Sequence, residues 1–196
     1  MSTKISPEEF YDKFAPTYDV DTKTPTVNVQ HVNEAAKIFQ KYNSFASGSV
    51  LDIGCGTGLI SDLLPGELEY TGIDISGKML QFAAQRGYKT IHKPIEAAIA
   101  DIPDNSYDFV FALSSLLFVE DINSIINNIN RIARKAMLLS IDNLTEDYIR
   151  EFTVTVYNHS QVPIPNTKED YFIRGWTSPT TGITIQTRMI YVEKTN

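Results

Sequence analysis

The sequence predicts an α/β fold of three layers, a mostly parallel sheet of seven strands covered by helices and closed by an antiparallel hairpin. Three observations predict it. From Ser49 onward, apolar runs of strand length alternate with stretches of helical spacing, the order that builds parallel sheets. The first of these runs feeds directly into a glycine-rich turn, Gly54-Cys55-Gly56-Thr57-Gly58. Near its end the chain has two strand-like stretches around Ser178-Pro179-Thr180-Thr181-Gly182, which reads as a hairpin. A chain of 196 residues is long enough for one substantial core. One domain over 1–196 is therefore expected, with 1–45 as a helical N-terminal lid, 46–142 as the ligand-binding core and 143–196 as the acceptor-side segment and hairpin.

The elements follow in order. Ser6-Pro7-Glu8-Glu9 reads as a helix start, with Ser6 as N-cap, Pro7 at the first helical position and Glu9 placed to complete a capping box. A Thr/Pro-rich break at Asp21 to Thr26 precedes a second helix, in which Val29, Val32, Ala36 and Phe39 recur at helical spacing. Strands are expected at Val50 to Ile53, Glu69 to Ile75, Tyr88 to Ile91, Tyr107 to Leu113 and Ala136 to Ile141. Between the last two, Ile122, Ile125, Ile126, Ile129 and Ile132 make an apolar stripe for a helix lying on a sheet. Asn143 to Asn158 begins like a helix and ends with strand-like alternation, so both readings stay open. Val162 to Asn166 is a proline-limited loop, and Tyr171 to Trp176 with Ile183 to Val192 supply the hairpin.

Composition narrows the partners. Seventeen Lys plus Arg against twenty-four Asp plus Glu give a net charge of −7, which repels phosphate backbones and anionic lipid surfaces. Nucleic acid and membrane partners are not expected. The N-terminal residues carry no apolar leader, and the only cysteine is Cys55, which fits a reducing, cytoplasmic setting. No cluster has metal-ligand spacing, so no metal is expected.

The chemistry concentrates in Leu51-Asp52-Ile53-Gly54-Cys55-Gly56-Thr57-Gly58-Leu59-Ile60. Three glycines follow an apolar strand and precede an expected helix. Glycines there permit a tight turn and let a ligand approach the backbone. Twenty residues beyond Gly54, Asp74 ends the second strand, where a carboxylate can accept hydrogen bonds from both hydroxyls of a ribose. An adenosine is implied. The dinucleotide signature spaces its glycines as G-x-G-x-x-G around a pyrophosphate, whereas this turn reads G-x-G-x-G. Asp52 lies two residues before the first glycine, where its charge opposes a pyrophosphate and suits the ammonium of a methionine.

These residues resemble the class I S-adenosylmethionine-dependent methyltransferases. The resemblance is carried by Val50 to Gly58, by Gly72-Ile73-Asp74-Ile75-Ser76-Gly77-Lys78-Met79-Leu80, by Phe10 to Asp19 and by Pro103 to Val110. It covers about residues 10 to 134 and implies a Rossmann-like fold, with S-adenosylmethionine as methyl donor. It implies further that Gly54, Cys55, Gly56 and Gly58 lie against the methionine and ribose, that Asp52 meets the amino group through water, and that Asp74 holds the ribose. Ile75 and Met79 would flank the adenine, Ala112 to Ser114 would line the methionine side, and Tyr11 or Tyr18 would cover the carboxylate. Packing of the first helix is an equal reading for both tyrosines, as plain core is for Met79. The family's acid for the adenine amino group falls on Glu96 when counted back from Pro103-Asp104, and on Pro94 when counted forward from Tyr88; Glu96 is preferred.

Methyl transfer from a sulfonium requires chiefly that nucleophile and methyl carbon be held close and in line. A general base is needed only when the acceptor carries a proton it must lose. His31, His92 and His159 read as surface or structural, and Ser114 to Val119 lacks the histidine some relatives carry, so no catalytic residue is assigned. The acceptor is expected to be a small molecule over the carboxyl ends of the strands, under a roof drawn from Tyr148, Phe152, Tyr157 and Trp176, although each of these suits ordinary packing. Two rival readings remain: a non-catalytic binding protein on the same fold, and an NAD-dependent oxidoreductase. The oligomeric state is left open.

Overall fold

The computed structural model describes residues 4–19, 27–43, 47–64, 67–144, 152–177 and 184–194. Two helices come first, α1 (Pro7–Phe14) and α2 (Val27–Tyr42), followed by β1 (Ser47–Ile53), β2 (Glu67–Asp74), α3 (Gly77–Gln85), β3 (Lys89–His92) and α4 (Ile95–Ile99). The chain continues through β4 (Tyr107–Leu113), α5 (Ile122–Ile132), β5 (Ala133–Asn143), β6 (Thr167–Thr177) and β7 (Thr184–Glu193). The seven strands form one sheet in the order β3-β2-β1-β4-β5-β7-β6. β1 to β5 pair in parallel, and β7 runs antiparallel to both β5 and β6. This is a Rossmann-like α/β sandwich closed by an antiparallel hairpin.

Apolar cores lie on both faces of the sheet. On one, the five isoleucines of α5 are all buried and pack with Leu51, Ile53 and Ile73 of β1 and β2. On the other, Val32, Ala36 and Phe39 of α2 pack with Val50, Phe109 and Phe111. Strands covered on both faces carry near-continuous apolar runs, which is why they stood out in the sequence. The helix starts follow the sequence too: Ser6, Ser76 and Asp121 each accept a backbone N–H from the residue three further on. Glu9 does not reach back to close the capping box; its carboxylate takes Lys13 Nζ at 2.6 Å instead.

Two expectations are corrected and one open reading is narrowed. The glycine turn is followed by a four-residue 3-10 turn, Leu59–Asp62, and not by an α-helix. Leu64 precedes Pro65, and a residue before proline is driven out of the α region, so the helical stretch is cut short. The alternation Phe152 to Val156 does not build a strand; its one pairing is an isolated bridge between Phe152 and Ile5. β5 starts at Ala133, directly from the end of α5, three residues before its apolar run. The break at Asp21 to Thr26, the helix-like start at 145–151, and the hairpin tip at 178–183 lie outside the described residues, as do the side chains of Val29 and Trp176.

Candidate functional site

The carboxyl ends of β1, β2 and β4, the start of α4 and the lid helix α1 enclose a cavity of about 270 Å³. Its position is the one that parallel α/β sheets offer to ligands.

The glycine turn forms part of its wall. Gly54, Gly56 and Gly58 have φ of 66°, 53° and 77°, left-handed values that side chains rarely adopt. The turn is pinned to β2, since Gly54 and Cys55 donate their N–H groups to the Ile73 carbonyl at 2.7 and 3.0 Å. A Cβ on Gly54 would lie 2.2 Å from Ser115 Cβ, whereas one on Gly56 would meet only the Tyr18 ring at 3.9 Å. Gly54 is thus needed for packing, while the bare side of Gly56 opens towards the cavity.

Asp74 closes the floor at the end of β2. One carboxylate oxygen accepts Gly56 N–H at 2.9 Å and the other accepts Ser76 N–H at 2.8 Å, leaving further lone pairs for a ligand. Burial raises its pKa above the usual aspartate value, and the backbone N–H groups of Ser76, Gly56 and Ile75 oppose that rise. Ile75 and the buried Met79 extend this wall into α3, and Tyr11 and Tyr18 face it from the lid. The lid is fastened at two points. Asp12 accepts Ser76 Oγ at 2.6 Å and Lys78 N–H at 3.1 Å, and Asp19 accepts Thr57 Oγ1 at 2.8 Å and pairs with Arg86 at 3.0 Å. The hydrogen bond from Ser76 leads the causes that hold the Asp12 carboxyl below its ordinary value, against a smaller rise from burial.

The structure brings Tyr11, Tyr18, Gly54, Gly56, Asp74, Ile75, Met79 and Glu96 into this wall and leaves Asp52, Cys55, Gly58 and Ala112 out of it. Ala112 is buried inside β4. Cys55 is turned away against the bare face of Gly72. Asp52, 3% exposed, lies beneath the turn and accepts Tyr88 OH at 3.1 Å. Its desolvation there outweighs that hydrogen bond, and the carboxyl is pushed up to about 7. Pro94 and Glu96 both reach the wall, so the ambiguity between them is not resolved by position.

The remaining wall comes mainly from the apolar Leu113, Leu117, Phe118, Val119 and Val154, with Ser114 and Ser115 among them. Phe118 and Val154 had no signal beyond hydrophobicity, because what aims them inward is the loop path after β4 and the bridge from Phe152 to Ile5. Phe152 lies behind the wall against Phe10 and Phe118, at ring distances of 5.2 and 4.9 Å. Tyr157 borders a separate small cavity, stacked on His159, and Tyr148 is outside the described residues. Between the two cavities Ser114 has φ 52°, fixed by its N–H donating to Ser140 O and Oγ at 3.0 and 2.9 Å. None of the histidines reaches the main wall; the Nε2 atoms of His92 and His159 each bond a backbone carbonyl at 2.7 Å, and His31 is buried on α2.

Residues 51–141 match the family described as "Methyltransferase domain", and this stretch is a methyltransferase domain. The chain is 27% identical over 139 residues to O-methyltransferase rstn1 of Aspergillus nomiae, a match that covers 66% of this chain and 61% of the relative. It is 31% identical over 94 residues to phosphatidylethanolamine N-methyltransferase of Cereibacter sphaeroides, covering 45% and 46%. The chain thus spans less than two thirds of the length of either relative. Among solved structures it resembles magnesium protoporphyrin IX methyltransferase from Synechocystis, solved with bound SAH, with a TM-score of 0.65 and 20% identity over 95% of this chain and 98% of that one. At that identity the likeness concerns the fold. Among the described residues, no helix is long and apolar enough to cross a membrane.

Proposed function

We propose that the protein transfers a methyl group from S-adenosylmethionine to a small-molecule acceptor by in-line displacement, with positioning as the main catalytic device. The observation that carries this reading is the division of one cavity into two kinds of wall. At one end stand the bare face of Gly56, the Asp74 carboxylate and the apolar pair Ile75 and Met79, which suit the ribose and adenine of an adenosine. Leu113 and Ser114 suit the methionine side between them, and at the other end stand Leu117, Phe118 and Val154, a largely apolar compartment for a compact acceptor. When bound, the sulfonium would supply the electrophilic methyl; the chain's part is to hold the donor against the turn, exclude water under the lid and fix the acceptor in line.

Relatives named for transfer to oxygen and to nitrogen leave the acceptor atom open. The dinucleotide alternative is disfavoured by the glycine spacing and by the 3-10 turn after it, which offers no long helix terminus for a pyrophosphate. The test is calorimetric titration with S-adenosylmethionine, with NAD as control, on the native protein and on Asp74→Ala. Saturable binding of the sulfonium alone, weakened by at least about 1 kcal/mol in the variant, is the expected result. Absence of binding would return the non-catalytic reading.

A further inference from the structure

Beneath the glycine turn lies a buried cluster that the proposed reaction does not use directly. Tyr88, 5% exposed, precedes β3 and inserts its ring between two glycines from different elements. A Cβ on Gly58 would come within 2.8 Å of that ring, and one on Gly72 of β2 would also come within 2.8 Å. Neither position tolerates a side chain while Tyr88 is there. Tyr70 of β2 stacks on the other side, at 4.8 Å between ring centroids and 20° between planes. The single polar use of the Tyr88 ring is its hydroxyl, which donates to Asp52 at 3.1 Å. Asp52 is the last polar residue before Gly54 and Gly56, and both glycines line the cavity.

We propose that Tyr88 is a positioning residue for the amino-acid end of the methyl donor: its ring templates the underside of the glycine turn, and its hydroxyl holds Asp52 beneath that turn and favours its charged form when the donor's ammonium binds. This rests on the reading that S-adenosylmethionine occupies the cavity. A carboxylate removed from water stays charged only where hydrogen bonds or an opposite charge favour that form. The titratable groups facing Asp52 are Tyr88, Tyr70, Cys55 and Asp74. None of them supplies a positive charge, and Asp74 repels it. The Tyr88 hydroxyl is thus the group among them that favours ionisation, and an incoming ammonium is the natural second. Binding of an ammonium-bearing ligand and ionisation of Asp52 then promote each other, and without the hydroxyl that exchange moves to higher pH.

The experiment is calorimetric titration of native protein, Tyr88→Phe and Asp52→Asn with two probes, from about pH 5.5 to about pH 8.5. S-adenosylhomocysteine carries the amino-acid end, and methylthioadenosine lacks it while keeping the ribose and adenine. In native protein the ratio of the two affinities is expected to rise with pH around neutrality, by up to about tenfold per pH unit. In Tyr88→Phe that rise shifts upward by about one pH unit, and in Asp52→Asn, which keeps an acceptor for Tyr88, the ratio is low and flat. A Tyr88→Phe ratio that follows the native curve overturns the proposal. Equal weakening of both probes at every pH also overturns it, since a merely loosened turn would do that. Native protein that binds neither probe overturns the cofactor reading and this inference together, an outcome distinct from either of the others.

Discussion

Gly54 and Gly56 stand two positions apart in one turn with similar left-handed φ, yet the structure gives them different tasks. Gly54→Ala would add both left-handed strain of about 1–2 kcal/mol and a Cβ 2.2 Å from Ser115 Cβ, so a clear loss of stability in urea unfolding is expected. Gly56→Ala carries similar strain but meets only Tyr18 at 3.9 Å. Its Cβ would stand on the cavity wall, so calorimetry should show a donor affinity reduced by more than its change in stability. Sequence spacing identified both glycines as a ligand turn. It did not separate their roles, because Ser115 reaches Gly54 only through the pairing of β1 with β4.

Asp52 adds a prediction in pH. Its carboxyl titrates near 7 in the folded protein and near 3.9 when unfolded, so between those values the folded state holds a proton that the unfolded state has released. By linkage, stability falls as pH rises through that window and is flat below it. The charge that suggested a role for Asp52 in the sequence is therefore also a burden that the fold carries near neutral pH. Urea unfolding of Asp52→Asn should show less dependence on pH than native protein between about pH 4 and about pH 7, and the variant should be the more stable at about pH 8. Identical slopes for both proteins would refute the buried charge. Asp12 and Asp108, both held below the usual aspartate range, act in the opposite direction but are common to both proteins and cancel in the comparison.

Helix α1 was legible in the sequence as a capped helix within an N-terminal lid, but its fastening was not. What fixes it is Asp12, which reaches Ser76 Oγ and Lys78 N–H at the start of α3, sixty-odd positions away in the chain. No periodicity reports a contact of that range. Asp12→Ala should leave the sheet intact, since no strand depends on it, and release α1 by an amount on the order of 0.5–1.5 kcal/mol. Hydrogen exchange is expected to rise over residues 7–14 while the amides of β1 and β4 stay protected, and donor affinity should fall because Tyr11 belongs to the released helix. The strands and α5 were read from the sequence for the converse reason, that their signals are local, although β1, β5 and β6 start three or four residues before their expected limits. The short 3-10 turn after Gly58 was misjudged as a full helix because the expected pattern of strand, glycine turn and helix outweighed Pro65.

The three-layer architecture follows from burial of the central strands on both faces, but the site does not follow from burial. Its walls combine a turn after β1, a carboxylate after β2, a loop after β4 and a helix from before the sheet, and so it forms only when the whole sheet does. A ligand that binds only that assembled form must therefore stabilise the entire molecule and not merely the turn. At a donor concentration one hundred times its dissociation constant, linkage gives about 2.7 kcal/mol. For a chain of this size that corresponds to a rise in midpoint of roughly 5–11 °C. Thermal unfolding with S-adenosylmethionine should show this single upward shift, absent with NAD and reduced in Asp74→Ala. A shift confined to a minor early transition would instead mean that the donor holds the lid alone, and that the cavity at the strand ends is not where it binds.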